Sequence, residues 1–348
     1  VPNAYTAGYN TILFNAGLFT RIKNEAQFAF VLAHELAHLV LKHNDKSIDK
    51  YLSTIKSKEF KAEVAAIKKQ QFGQGKALEE LTKTFSFDTR KHSRFSEKDA
   101  DEQAILWMQK SGYSVEQTVD CLALLDTVDN DICDVKQVFQ KYLNFEEQPY
   151  KPSYFGATRR SVFGAAAFAD DNETTFIKDS LSTHPDCKQR VLYATGLING
   201  SAQKNGSNFL VDESFFYTLQ HKLKNEIIDF TIKSEKVSRG LFYALEQLSA
   251  GNESPLVIMK ISEAFDKLYT AQKNHTLGKI TDLPDPQRFS ASYNALLYYI
   301  QNASLSDFAS VNYYFTSYYV KQYSNCKQMA NCMANCAANM ERQDEAAH

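Results

Sequence analysis

Nowhere in the 348 residues is there a run of about eighteen apolar residues, the length a membrane-spanning helix requires; the longest candidates, around residues 28–33 and 164–169, fall far short. A single sign of charge is also missing. Lys and Arg number 39 against 41 Asp and Glu, a net charge of -2 with both signs spread along the chain, which removes the electrostatic basis for a nucleic-acid partner. The six cysteines contain no C-x-x-C pair, so zinc-knuckle and dithiol redox chemistry have no signature here. Cys332 and Cys336 fall on one helical face with Cys326 nearby; all six are read as buried or free thiols without a role. The sequence opens at Val1 without a basic, apolar and cleavable leader, and the expectation is a soluble chain from which any signal peptide or lipid anchor has been removed. Its length allows two or three ordinary domains.

What is present is concentrated in Phe28-Ala-Phe-Val-Leu-Ala-His-Glu-Leu-Ala-His-Leu-Val-Leu-Lys-His43. In a helix His34 and His38, four apart, lie on one face with their imidazoles converging on a point where a zinc ion fits. Glu35 is one residue round from the first histidine, able to reach a metal-held water but badly placed to be a ligand, which is the position of a general base. The plain alternative is a core helix with two satisfied histidines. Given the chain's composition, however, an H-E-x-x-H string arises by chance on the order of once in a hundred such proteins. The apolar positions Phe28, Val31, Leu32, Leu36, Leu39 and Val40 wrap nearly all round the helix, so it is expected to be central and buried.

A catalytic zinc needs a third protein ligand and an open fourth position. The acid-dense start of a helix expected over roughly 96–110, Glu97-Lys-Asp-Ala-Asp-Glu102, supplies candidates. Glu97 and Asp101 share a face, so that one can bind metal while the other accepts a hydrogen bond from a ligand histidine. Before the metal helix, residues 3–14 read as a short hairpin with a turn at Ala7-Gly8, an edge to which an extended peptide could add as a strand. After it come a Lys-rich amphipathic helix over 46–71, a break at Gly73-Gln-Gly75, and a helical stretch from Ala77 to Phe85.

Four ordered motifs carry a family resemblance. Asn3-Ala4, His34 to His38 with His43 just beyond, Glu97-x-x-Ala100-Asp101, and Thr183-His-Pro-Asp-Cys-Lys-Gln-Arg190 together resemble the zinc metallopeptidase family of HtpX and BepA, over about residues 1–195. The resemblance implies a gluzincin fold with one zinc per chain held by His34, His38 and Glu97, and Glu35 as catalytic base. The metzincin pattern would need Gly at 41 and His at 44, where Leu41 and Asn44 stand. Lacking hydrophobic spans, the chain is more similar to the soluble envelope members, and the expected location is a bacterial periplasm or envelope lipoprotein.

Residues 144–182 lose regular patterning, with Pro149, Pro152, Gly156 and Arg159-Arg160, and are expected to cover the active site. They lead to His184. It is expected either to plug the metal or to donate a hydrogen bond to the reaction's oxyanion, with Pro185 opening a helix and Arg190 anchoring it against a carboxylate such as Asp101. From about Asp212 onward the chain reads as helices alone, with apolar steps of three and four from Phe216 to Phe230 and from Val237 to Leu248. Ser254-Pro255 opens a third helix, and a pair follows at 290–301 and 304–323. These hairpins resemble tetratricopeptide repeats in length, and Tyr313-Tyr314 and Tyr318-Tyr319 read as packed rings or as a recognition surface.

The overall expectation is a mainly α (α+β) protein: a metallopeptidase domain at 1–200, with a small sheet beside the active-site helix, and an all-α, TPR-like domain at 208–340. The activity expected is zinc-dependent endopeptidase action on polypeptides in cell-envelope quality control, with a protein partner on the helical domain. The alternative is a chaperone-like or scaffold protein with a latent or structural zinc, for which Glu35 beside the metal would have no use.

Overall fold

The computed structural model describes residues 3–7, 10–70, 72–127, 130–156, 187–199 and 206–347. The fold is mainly helical, with one two-stranded antiparallel sheet in which β1 (Ala4–Ala7) pairs with β2 (Thr11–Phe14), Ala4 opposite Phe14. A short helix, α1 (Ala16–Phe19), leads into α2 (Glu25–Val40), which carries the histidine motif. Among the described residues no helix is long and apolar enough to cross a membrane. The chain divides into two compact units, residues 1–128 with 179–218, and residues 129–178 with 219–348.

In the first unit α2 starts where Asn24 caps it, its side chain accepting from the Gln27 amide at 2.9 Å. The next elements depart from the expected pattern. The Lys-rich stretch is two helices, α3 (His43–Lys56) and α4 (Lys58–Lys69), because Ser57 leaves the helical region and caps the second one through the Phe60 amide. Beyond the break at Gly73, whose φ is +79°, a single helix α5 (Gln74–Ser111) replaces the two expected. The unit continues with α6 (Gln117–Thr127) and α8 (Cys187–Asn199). Its core is made by Ala26, Phe30 and Val31 of α2, Ile105 and Met108 of α5, Leu122 of α6 and Ala194 of α8.

The metal helix is not buried all round as its composition suggested. Leu32, Leu36 and Val40 are 41, 42 and 59 % exposed, because α2 packs through the side that holds Phe30, Val31, His34, Ala37 and His38, while these three lie on the opposite side.

The second unit contains α7 (Val135–Tyr142), a 3-10 turn (Pro152–Phe155), most of α9 (Glu213–Lys233), α10 (Val237–Ser249), α11 (Pro255–Lys273), the one-turn α12 (Leu277–Ile280), α13 (Ala291–Asn302), α14 (Leu305–Gln322) and α15 (Lys327–Ala347). Residues 130–156, grouped by sequence with the metallopeptidase part, pack here, because Val135, Val138, Phe139 and Phe155 close a core with Leu241, Phe265 and Tyr299. α14 begins with a reciprocal capping box between Ser304 and Asp307. Helices α9 and α10 approach so closely that a Cβ on Gly240 would run into the Ile232 side chain. Of the tyrosine run, Tyr319 is buried and Tyr318 exposed.

One buried carboxylate ties the start of α2 to the chain that enters α9. Glu25 accepts backbone N–H bonds from Leu210, Val211 and Asp212, each at 2.8 Å, and a longer one from the Tyr113 hydroxyl. Burial pushes its carboxyl up, but the three amides and the phenol outweigh burial and hold it below the ordinary carboxylate range. A depressed acid contributes stability above its unfolded pKa of about 4.3 and loses it as pH falls through the folded value. Glu25→Gln should therefore cost about 1–3 kcal/mol at pH 7, and the gap to wild type should narrow as pH falls below the ordinary carboxylate range. Urea unfolding across a series from pH 7 into the acid range measures this, and a gap that does not change with pH would contradict it.

Candidate metal centre

Two helices and one arginine build the site. Neighbouring turns of α2 present His34 and His38, with Nε2 atoms 3.1 Å apart. Against them α5 sets Glu97, whose Oε2 is 3.4 Å from His34 Nε2 and whose Oε1 is 3.4 Å from His38 Nε2. All three side chains are buried. Among the described residues they are the group of His, Cys, Asp and Glu close enough to share a metal ion. A tetrahedral zinc with bonds of about 2.0–2.1 Å spaces its ligand atoms about 3.3 Å apart; the observed separations match that edge.

Asp101, one turn beyond Glu97, addresses the other side of the first histidine, its Oδ1 lying 2.9 Å from His34 Nδ1. The Nδ1–H donates to the carboxylate, which leaves the Nε2 lone pair directed at the shared point. Arg190, from α8, closes the arrangement. Its Nε and Nη2 each donate to Asp101 at 2.7 Å, and its Nη1 lies 2.9 Å from Glu97 Oε2. Burial opposes ionisation of Asp101, yet Arg190 and then His34 outweigh burial and hold its carboxyl low. Burial likewise disfavours a charged His34, but Asp101 and Glu97 overcome it and raise the imidazole to about 9. A metal at Nε2 must displace that proton.

Formal charge supplies a second test of fit. Glu35, Glu97 and Asp101 are buried carboxylates and Arg190 is the buried guanidinium set against them, which leaves two negative charges that a divalent cation would cancel. Donor types, spacing and charge all suit zinc.

Sequence reasoning noted His43 only as a motif position and gave it no role. In the structure its Nδ1 is 2.9 Å from His38 Nδ1, and burial, then the neighbouring His38, hold its pKa below the ordinary imidazole value. With His38 Nε2 directed at the shared point, its Nδ1–H would donate to His43, which would fix that ring as Asp101 fixes His34. The chain can place it there because Lys42 adopts a left-handed conformation, φ +54°, that ends α2 and turns the first residue of α3 back toward the site. His184 and residues 157–182 of the expected cover lie outside the described residues.

This donor set on an H-E-x-x-H helix, completed by a glutamate from a later helix, defines a gluzincin-type zinc peptidase. The model of peptidase family M48 matches residues 1–197, more than half of the chain, and the protein belongs to that family; it is a zinc-dependent metalloendopeptidase. No curated protein and no solved structure matches the chain.

Replacing His43 by Ala should weaken zinc binding about 10–100-fold, the usual effect of losing a ligand's hydrogen-bond partner, with helix content unchanged. Competition with a chromogenic chelator measures it, and wild-type affinity would show that His38 needs no such support.

Proposed function

We propose that His34, His38 and Glu97 hold one zinc per chain, that Glu35 is the general base of peptide-bond hydrolysis, and that Asp101 and Arg190 are positioning residues. The observation that carries the reading is the buried three-donor cluster with a carboxylate one residue along the same helix. When bound, zinc supplies Lewis acidity that activates water and polarises the scissile carbonyl. Glu35 takes the proton from the attacking water and returns it to the leaving amine as the tetrahedral intermediate collapses. Asp101 keeps the His34 ring in one tautomer and orientation. Arg190 holds Asp101 ionised and bridges it to Glu97, so that the two carboxylates tolerate burial side by side.

In this reading the unit of residues 1–128 and 179–218 is the peptidase part, and the unit of residues 129–178 and 219–348 is a helical part that engages substrates or a partner protein. The biological setting we propose is protein quality control in a bacterial envelope, supported by the resemblance of the four motifs to HtpX and BepA.

Glu35→Gln should retain one zinc per chain while casein cleavage falls by about 10²–10⁴-fold, the share a positioned proton-transfer group supplies. Glu97→Ala should lose zinc. Undiminished cleavage by the first variant, or unchanged zinc affinity in the second, would overturn the corresponding assignment.

A further inference from the structure

Beside the metal centre, the helix pair α3 and α4 turns two unlike faces to solvent. α3 packs through the side that holds His43, Lys50 and Thr54, which are buried or half-buried. Ile48, Tyr51, Leu52 and Ile55 follow the i, i+3, i+4, i+7 spacing of an apolar stripe, and at about 100° per residue that stripe falls about a third of a turn away from the packed side. Ile48, Tyr51 and Leu52 are accordingly 57, 52 and 38 % exposed. Single exposed apolar side chains need no explanation, but large ones adjoining in one stripe mark an interaction surface.

α4 packs through Phe60, Val64 and Ile67, again on one side. Lys58, Lys61, Lys68 and Lys69 share one flank of that helix and are all exposed, while Glu59 and Glu63 lie on the opposite flank. The apolar stripe ends at Ile55 and the lysines open at Lys56 and Lys58, so the two faces adjoin in the chain at Ser57. Residues 42–69 together hold eight Lys, no Arg and four Asp or Glu, a net charge of +4 in a chain whose total is -2.

The residue types separate two kinds of partner. Protein interfaces favour Arg and are depleted in Lys, because the planar guanidinium pairs directionally with carboxylates. Eight lysines without one arginine give flexible, hydrated point charges instead, suited to a surface of many phosphates in no fixed array. Lysines beside an apolar stripe are also the signature of a helix that lies in the plane of a membrane interface, where the ring of a tyrosine such as Tyr51 is at home.

We propose that α3 and α4 dock the protein on an anionic lipid surface, with Ile48, Tyr51 and Leu52 entering the headgroup region and the α4 lysines meeting lipid phosphates. α3 begins at His43, whose Nδ1 is 2.9 Å from His38 Nδ1, and Ile48 is about 7.5 Å further along the helix axis. Docking therefore sets the candidate metal centre close to the lipid surface, where polypeptides held at a membrane are within reach. The proposal goes beyond the peptidase reading and does not depend on it, since zinc content and casein cleavage in solution test that reading separately.

Flotation of the full chain with vesicles of phosphatidylcholine alone, or with about one-third phosphatidylglycerol, tests it. Binding to the anionic vesicles should be at least about tenfold tighter than to the neutral ones, and should weaken as salt rises from about 0.1 M to about 0.5 M. Replacing Lys58, Lys61, Lys68 and Lys69 together by Gln should weaken anionic binding by about a hundredfold or more. Ile48→Gln with Leu52→Gln should weaken it several-fold at unchanged charge. All six side chains are exposed, and unchanged helix content by circular dichroism shows that each variant folds. No binding up to about 1 mM lipid, equal binding to both vesicles, or full affinity in either folded variant would overturn the proposal. Capture of poly-glutamate without vesicle binding would also overturn it, by giving the surface to an acidic polypeptide.

Discussion

The bidentate pairing of Arg190 with Asp101 is the contact on which the metal centre rests. Buried ions cost several kcal/mol each unless paired and hydrogen-bonded, and the site places three carboxylates in one dry region. Arg190 satisfies two of them at once, both oxygens of Asp101 and one of Glu97. Through Asp101 it also governs His34, since a carboxylate held ionised is a dependable acceptor for Nδ1–H. A lysine there would offer one ammonium in place of a planar fork and could not serve both partners in the same geometry.

The same reasoning explains why so little backbone machinery is needed. Two helices facing each other supply the three donors of the candidate cluster, His34 and His38 from one and Glu97 from the other, and the i, i+4 spacing of the histidines sets their separation. The second unit handles its half-buried Asp266 by another means, with carboxamides from three asparagines where the first unit uses a guanidinium and an imidazole. Dipoles stabilise a carboxylate without cancelling its charge.

Much of this was legible before any coordinates. The helical spacing of His34, Glu35 and His38 dictates their shared face, and the i, i+4 pair Glu97 and Asp101 could be seen to offer one carboxylate to metal and one to a histidine. Which does which depends on how α5 is rotated against α2, a tertiary fact that spacing does not contain. His43 stayed without a role because its approach to His38 requires a left-handed Lys42, a conformation no propensity predicts for lysine. Apolarity misled at Leu32, Leu36 and Val40: a hydrophobic side chain is able to be buried, but only a packing partner buries it. The split of α3 from α4 turned on a single residue, Ser57, whose effect on a helix end is local and easily misplaced by a turn.

In the proposed centre two imidazoles and one carboxylate, and no thiolate, hold a single divalent ion between α2 and α5. Zinc K-edge X-ray absorption on protein loaded to saturation and freed of loose metal measures this directly. The prediction is one zinc per chain with imidazole scattering from two histidines, the remaining neighbours oxygen at about 2.0–2.2 Å, and no sulfur shell near 2.3 Å. A sulfur shell, a single imidazole, or failure to retain stoichiometric zinc would contradict it.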